Sequence, residues 1–151
     1  MSGGERFVIG IDFGTDSVRA LVVSDQGRIA GSAVASYERW AKGLFCDPER
    51  NQFRQHPLDH IESLHASVTR ALRQAGPGAA GGVTGISVDT TGSSPMAVDE
   101  HGTSLALHED LSDDPDAMVI LWKDHTSIRE AEEINTAAAA FAGENFLKYV
   151  G

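Results

Sequence analysis

Apolar residues cluster first in two short β-branched runs, Phe7 to Ile11 and Val18 to Val23, parted by a polar stretch that carries Gly14. Runs of this length between turn residues predict two strands. The turn chemistry of "SDQGR", Ser24 to Arg28, precedes a weaker apolar stretch from Ile29 to Ser36, so the chain is expected to open with a three-stranded antiparallel meander. The period then changes. From Pro57, a residue suited to a first helical turn, Ile61, Leu64, Val68 and Leu72 recur every three or four positions until Gly76 and Pro77. This spacing predicts one amphipathic helix. After the connector "GPGAAGG", the run "VTGISVDT" reads as a buried strand, and helix followed by strand suggests a crossover.

Elsewhere neither period persists. Tyr37 to His56 is expected to be an irregular excursion that covers other parts of the fold and packs its aromatics. Pro95 to His108 reads as a hairpin turning at "DEHG". Between Asp99 and Asp116 seven acids meet no Lys or Arg, which predicts a solvated loop. "SIRE", Ser127 to Glu130, has the form of a capping box for a helix carrying Ile128, Ala131 and Ile134, with Asp124 as an alternative cap; the alanines from Ala137 to Ala142 are ordinary helix material.

Composition narrows the class. A length of 151 residues fits one domain with a single core. Twelve basic against twenty-two acidic residues give a net charge of −10 with no Lys/Arg run, which argues against nucleic acid as partner. One cysteine, Cys46, excludes an intramolecular disulfide and reads as inert, and a reducing cytoplasm is the expected location. Neither a signal-peptide core nor a run long enough to span a membrane is evident. His56, His60 and His65 lie near one another on the expected helix but lack a convergent carboxylate, so they read as surface histidines.

The chemistry concentrates in "DFGTDSVR", Asp12 to Arg19. A phosphate needs backbone N–H donors presented where side chains leave room, and Gly14 supplies that access. Thr15 and Ser17 add hydroxyls, Arg19 adds positive charge, and Asp12 at a strand end can hold Mg²⁺ through water. The turn is neither a P-loop nor a Rossmann fingerprint, because both glycine patterns are absent and no helix follows.

"IGIDFGTDSVRALVVSDQGRI" resembles the first phosphate motif of the FGGY carbohydrate kinases, part of the actin-like, ribonuclease-H-like ATPases. "KGLFCDPERNQFRQHPLDHIE", "GISVDTTGSSP" and "LWKDHTSIREAEEIN" resemble the ribulokinase branch of that family, so the likeness runs from about Phe7 to the last residue. His125 stands where xylulokinases and glycerol kinases carry an arginine.

The resemblance implies an α/β, ribonuclease-H-like domain, its mixed sheet flanked by helices, with residues 1–151 as an incomplete N-terminal portion of the first kinase domain. It implies ATP and Mg²⁺ at Asp12, Gly14, Thr15, Ser17 and Arg19. It implies L-ribulose as substrate, phosphorylated to L-ribulose 5-phosphate in arabinose breakdown. Gly92 and Ser93 would line the sugar pocket, Trp122 would wall the sugar's apolar face, Asp124 would accept its hydroxyl protons, and Lys123 would add a contact. Without the resemblance, Asp124 reads as a helix cap, Trp122 as core and Gly92 as a turn. The catalytic base and the C-terminal domain belong to sequence not present here, so these residues alone are expected to be inactive, and a homodimer is allowed. The competing readings are a non-catalytic sugar-binding or regulatory module, a xylulokinase-like kinase, or another actin-like ATPase.

Overall fold

In the computed structural model, which describes residues 5–141 and 148, the three leading runs form β1 (Phe7–Phe13), β2 (Ser17–Ser24) and β3 (Ile29–Ser36), paired antiparallel as the turn residues between them predict. The last part of the resemblance and the end of the alanine run, at 142–147 and 149–151, lie outside the described residues.

The segment expected to be irregular is built of short ordered pieces. It holds α1 (Glu38–Ala41), β4 (Cys46–Asp47), a 3-10 turn at Pro48–Arg50 capped by the Asp47 carboxylate, and β5 (Gln52–Gln55). Tyr37 at its start is fully buried, and Trp40 packs against the core. α1 is capped from outside its own sequence: the buried carboxylate of Asp59 accepts the Arg39 and Trp40 N–H groups and the Arg39 guanidinium. Long-range partners of this kind leave no periodic signature.

α2 (Pro57–Ala75) begins at the expected proline and ends at Gly76, whose φ of 108° only glycine adopts without strain. Its buried stripe is not the apolar one. Asp59, Ser63, Ser67 and Ala71 face inward, Leu64, Val68 and Leu72 flank them half-buried, and Ile61 is exposed. The cause is a close approach to the sheet. A Cβ at Gly31 of β3 would stand 2.1 Å from the Ala71 carbonyl oxygen, so only small side chains fit along this seam.

α2 returns the chain to β6 (Val83–Thr90), parallel to β1, giving the strand order β3-β2-β1-β6. The crossover is as expected, but β6 is not buried: Ile86 and Val88 are 64% and 59% exposed. α2 lies across β2 and β3, and no described element covers β6. The core therefore sits between α2 and Phe7, Ile9 and Ile11 of β1 with Val18, Ala20 and Val22 of β2, while the opposite face leaves Val8, Leu21 and Val34 exposed.

A second, small sheet runs β4-β5-β7, where β7 is Val119–Ile120. The expected hairpin survives as the isolated pair Val98 and Ser104, and its neighbour Met96 pairs with Val119. The acidic run is only partly solvated. It folds into 3-10 turns around Ala106, Ala117 and Met118, with Asp99 accepting the His101 and Thr103 N–H groups. α3 (Ile128–Ala140) forms, but Ser127 makes no capping bond, Asp124 is engaged elsewhere, and Ile128 and Ile134 are exposed; the capping box is absent.

Candidate functional site

β1 and β6 are the parallel neighbours of the sheet, and the carboxyl ends of such strands are where open α/β sheets place ligands. Two turns meet there. The turn after β1 holds Gly14, Thr15 and Asp16; the bend after β6 holds Thr91, Gly92 and Ser93. Thr91 ties them together, donating from both its N–H and its hydroxyl to the Phe13 carbonyl. Ser93 has a φ of 56°, an uncommon conformation for a residue with a side chain.

Between these turns, the first turns of α2 and the β7 segment lies a cavity of about 380 Å³, lined by Gly14, Thr15, His60, Thr90, Thr91 and Leu121 among others. Its lining is mostly apolar and, among the described residues, includes no carboxylate.

The five residues expected around the phosphates do not share one surface. Gly14 and Thr15 open onto the cavity. The Gly14 N–H is spent on the Ser17 carbonyl at 3.0 Å, so the free donors of the turn are the N–H groups of Thr15 and Asp16, which have no partner among the described residues. Ser17 is buried. Asp12 and Arg19 lie opposite each other on β1 and β2, with an Arg19 guanidinium nitrogen 2.6 Å from Asp12 Oδ2, on the open face of the sheet beside Asp89. The positive charge of Arg19 thus already has a partner. Asp12 Oδ1 makes no protein hydrogen bond among the described residues, which fits the water-mediated hold that Mg²⁺ favours.

Of the residues expected around a sugar, Gly92 and Ser93 are exposed at the bend, and their neighbour Ser94 lines the cavity. Trp122 is 56% exposed rather than core. Lys123 Nζ sits 4.5 Å from the centre of the Phe53 ring and 4.8 Å from that of Trp40, whose Nε1 donates to Asp16 Oδ1. Asp124 is neither a helix cap nor open to a ligand. Its side chain is 2% exposed, Oδ2 accepts the Phe53 N–H and Arg54 Nε, and Oδ1 accepts the Thr126 N–H and hydroxyl. Burial alone would raise its pKa. The bonds from Arg54, Thr126 and Phe53 outweigh that and hold the carboxyl well below the usual carboxylate range.

Three important residues escape sequence reasoning. Arg54, 4% exposed, donates to Asp124, to Asp116, to the Pro115 carbonyl and to the Thr126 hydroxyl, joining β5 to the segment around β7. Gln55 and His60 support the first turn from below. The density of polar residues in "QFRQHP" is a signal that could have found Arg54 and Gln55; His60 lies outside it. His56 and His60 are also not the surface residues expected: His56 is buried and caps α2, accepting the Leu58 N–H, and His60 stacks on Tyr37 at 4.7 Å. Burial pushes both imidazoles below their ordinary pKa. Burial, followed by the nearby Asp12, Asp59 and Asp16, pushes the Tyr37 phenol up to about 12.

No family model matches the chain. Among solved structures, a xylulose kinase from Brucella ovis superposes with a TM-score of 0.66 at 24% identity, covering 89% of this chain and 24% of that one. A gluconate kinase from Lactobacillus acidophilus gives 0.67 at 12% identity, covering 89% and 23%. The chain thus shares the fold of about a quarter of each of these two sugar kinases. More particularly, it is similar in sequence to ribulokinases. That of Vibrio parahaemolyticus is 45% identical over 148 residues, 97% of this chain and 26% of the relative, and that of Geobacillus thermodenitrificans is 36% identical over 98% of this chain and 27% of its own length. The chain spans about a quarter of the length of these curated relatives. No described helix is long and apolar enough to cross a membrane.

Proposed function

We propose that this chain is the opening part of the first domain of a cytoplasmic ATP-dependent kinase that converts L-ribulose to L-ribulose 5-phosphate, with the sugar's 5-hydroxyl attacking the γ-phosphorus in line and ADP leaving. The observation that carries the reading is the turn Gly14 to Asp16, two unpartnered N–H groups at the carboxyl end of paired parallel strands, in a chain 45% identical to a ribulokinase. Thr15 and its neighbours would hold the phosphates. Asp12 would hold Mg²⁺ through water, and the ion would neutralise phosphate charge; Arg19 would fix the Asp12 carboxylate, and Ser17 would brace the turn. Gly92 and Ser93 would leave room for a ketopentose, Trp122 and Lys123 would face it, and Asp124 would act through its grip on that segment.

The test is an ADP-release assay on the longest protein that carries this chain. Turnover with L-ribulose supports the reading. Preference for D-xylulose would move it to the xylulokinase branch, and sugar binding without turnover would favour a non-catalytic module. The 151 residues alone are expected to show no turnover above blank, because among the described residues the cavity lining offers no carboxylate to serve as base.

A further inference from the structure

Gln55 ends β5 with its side chain among other side chains, 1% exposed, and both ends of its amide are engaged. Nε2 donates to the Thr15 carbonyl at 2.6 Å, and Oε1 stands 3.1 Å from His60 Nε2. A carbonyl can only accept, so Thr15 sets the orientation of the amide. Oε1 must then face His60, and the imidazole must carry its proton on Nε2. The ring cannot turn away easily, because it stacks on Tyr37 at 4.7 Å and on Phe13 at 6.1 Å. Phe13 immediately precedes Gly14, and the Tyr37 N–H donates to the Asp16 carbonyl. One cluster therefore holds the turn at its start, middle and end.

The peptide group is planar, so the Thr15 carbonyl and the Asp16 N–H point in opposite directions from one rigid unit. Drawing the carbonyl onto Gln55 aims the Asp16 N–H away from it. We propose that Gln55 and His60 are positioning residues that fix the Thr15–Asp16 peptide so that its N–H is set for the nucleotide's phosphates. This rests on the reading of the turn as the phosphate side of a kinase. Neither residue contacts the phosphates; His60 acts on Gln55, and Gln55 on the turn.

Steady-state kinetics on the complete protein separate this from simple packing. Gln55→Leu and His60→Phe, which keep much of the volume but remove the donors, are expected to raise KM for ATP about five- to tenfold, the scale of one lost hydrogen bond. KM for the sugar should stay within about twofold. His60→Gln, which restores an N–H toward Gln55, should recover most of the loss. Equal movement of both KM values, movement of neither, or a His60→Gln variant no better than His60→Phe would overturn the proposal. A wild type with no ATP-dependent turnover would instead sink the kinase reading. In that case, or if the variants do not fold, nitrogen-15 NMR of the wild-type histidines decides: the Nε2–H tautomer at His60 supports the arrangement, and the Nδ1–H tautomer overturns it.

Discussion

Two glycines illustrate how differently one residue type acts. At Gly31 an added Cβ would collide with backbone of α2, 2.1 Å from the Ala71 carbonyl oxygen and 2.9 Å from the Ala75 nitrogen. Backbone cannot rotate aside, so Gly31→Ala must push the helix off the sheet, at about 3 kcal/mol, the upper range for overpacking. At Gly14 the nearest neighbours of a Cβ are Arg19 at 3.4 Å and the Ser17 carbonyl at 3.5 Å, ordinary contact distances. Gly14→Ala should therefore leave the urea midpoint nearly unchanged while weakening nucleotide binding in the complete protein. Denaturation curves of the two variants, with nucleotide affinity for Gly14→Ala, would separate a glycine kept for packing from one kept for access.

At the scale of elements, what was legible in the sequence depends on where each element finds its partners. β1, β2 and β3 pair with near neighbours in sequence, and the turn residues between them betray them; α2 packs on those strands from farther off, Gln74 meeting Ser32 across 42 positions, but Pro57 and its own helical period mark it. β5 lacks such a signal, because its buried side chains are Arg54, satisfied by groups 61 to 72 positions away, and Gln55, which spans 40 positions to Thr15 and meets His60 five positions on. No local period encodes such a strand. The same distance hid the role of Asp124, whose acid, next to a helix start, looked like a cap. Likewise the apolar "VTGISVDT" looked buried because composition records hydrophobicity and not which strands a helix overlies. Of the candidate site, the turn residues were legible as chemistry, but the supports Gln55 and His60 were not. The Arg54–Asp124 pair has side chains 5% and 2% exposed, so removing Asp124 leaves the buried guanidinium with only the exposed Asp116 as counter-charge. Asp124→Ala is expected to cost about 3 to 5 kcal/mol and to free β5 from the Thr126 segment, readable as a lower urea midpoint with faster amide exchange at Phe53.

For the whole molecule, the buried titratable groups set a pH window. His56 and His60 titrate lower in the fold than in the unfolded chain, where imidazole takes its proton near about 6.5. Above that pH both states are neutral and the fold keeps its full stability from these sites. As the pH falls below about 6.5 the unfolded chain binds protons that the fold resists, so stability drops until the folded imidazoles also protonate. Asp124 adds a second loss in the same direction at lower pH. Its folded pKa is depressed, its contribution is complete above the ordinary carboxylate value of about 4, and it disappears as acid protonates first the unfolded chain and then the Arg54 pair. Urea midpoints measured from pH 8 to pH 3 should therefore stay level to about 6.5, step down, and step again below about 4. The Tyr37 phenol, held near 12, carries no charge change in this range. His60→Phe should shrink the first step, while Asp124→Ala should remove much of the second and leave the first in place. A stability profile that instead rises toward acid would mean that the histidines gain favourable partners on protonation, contrary to their burial between Tyr37, Phe13 and Phe45.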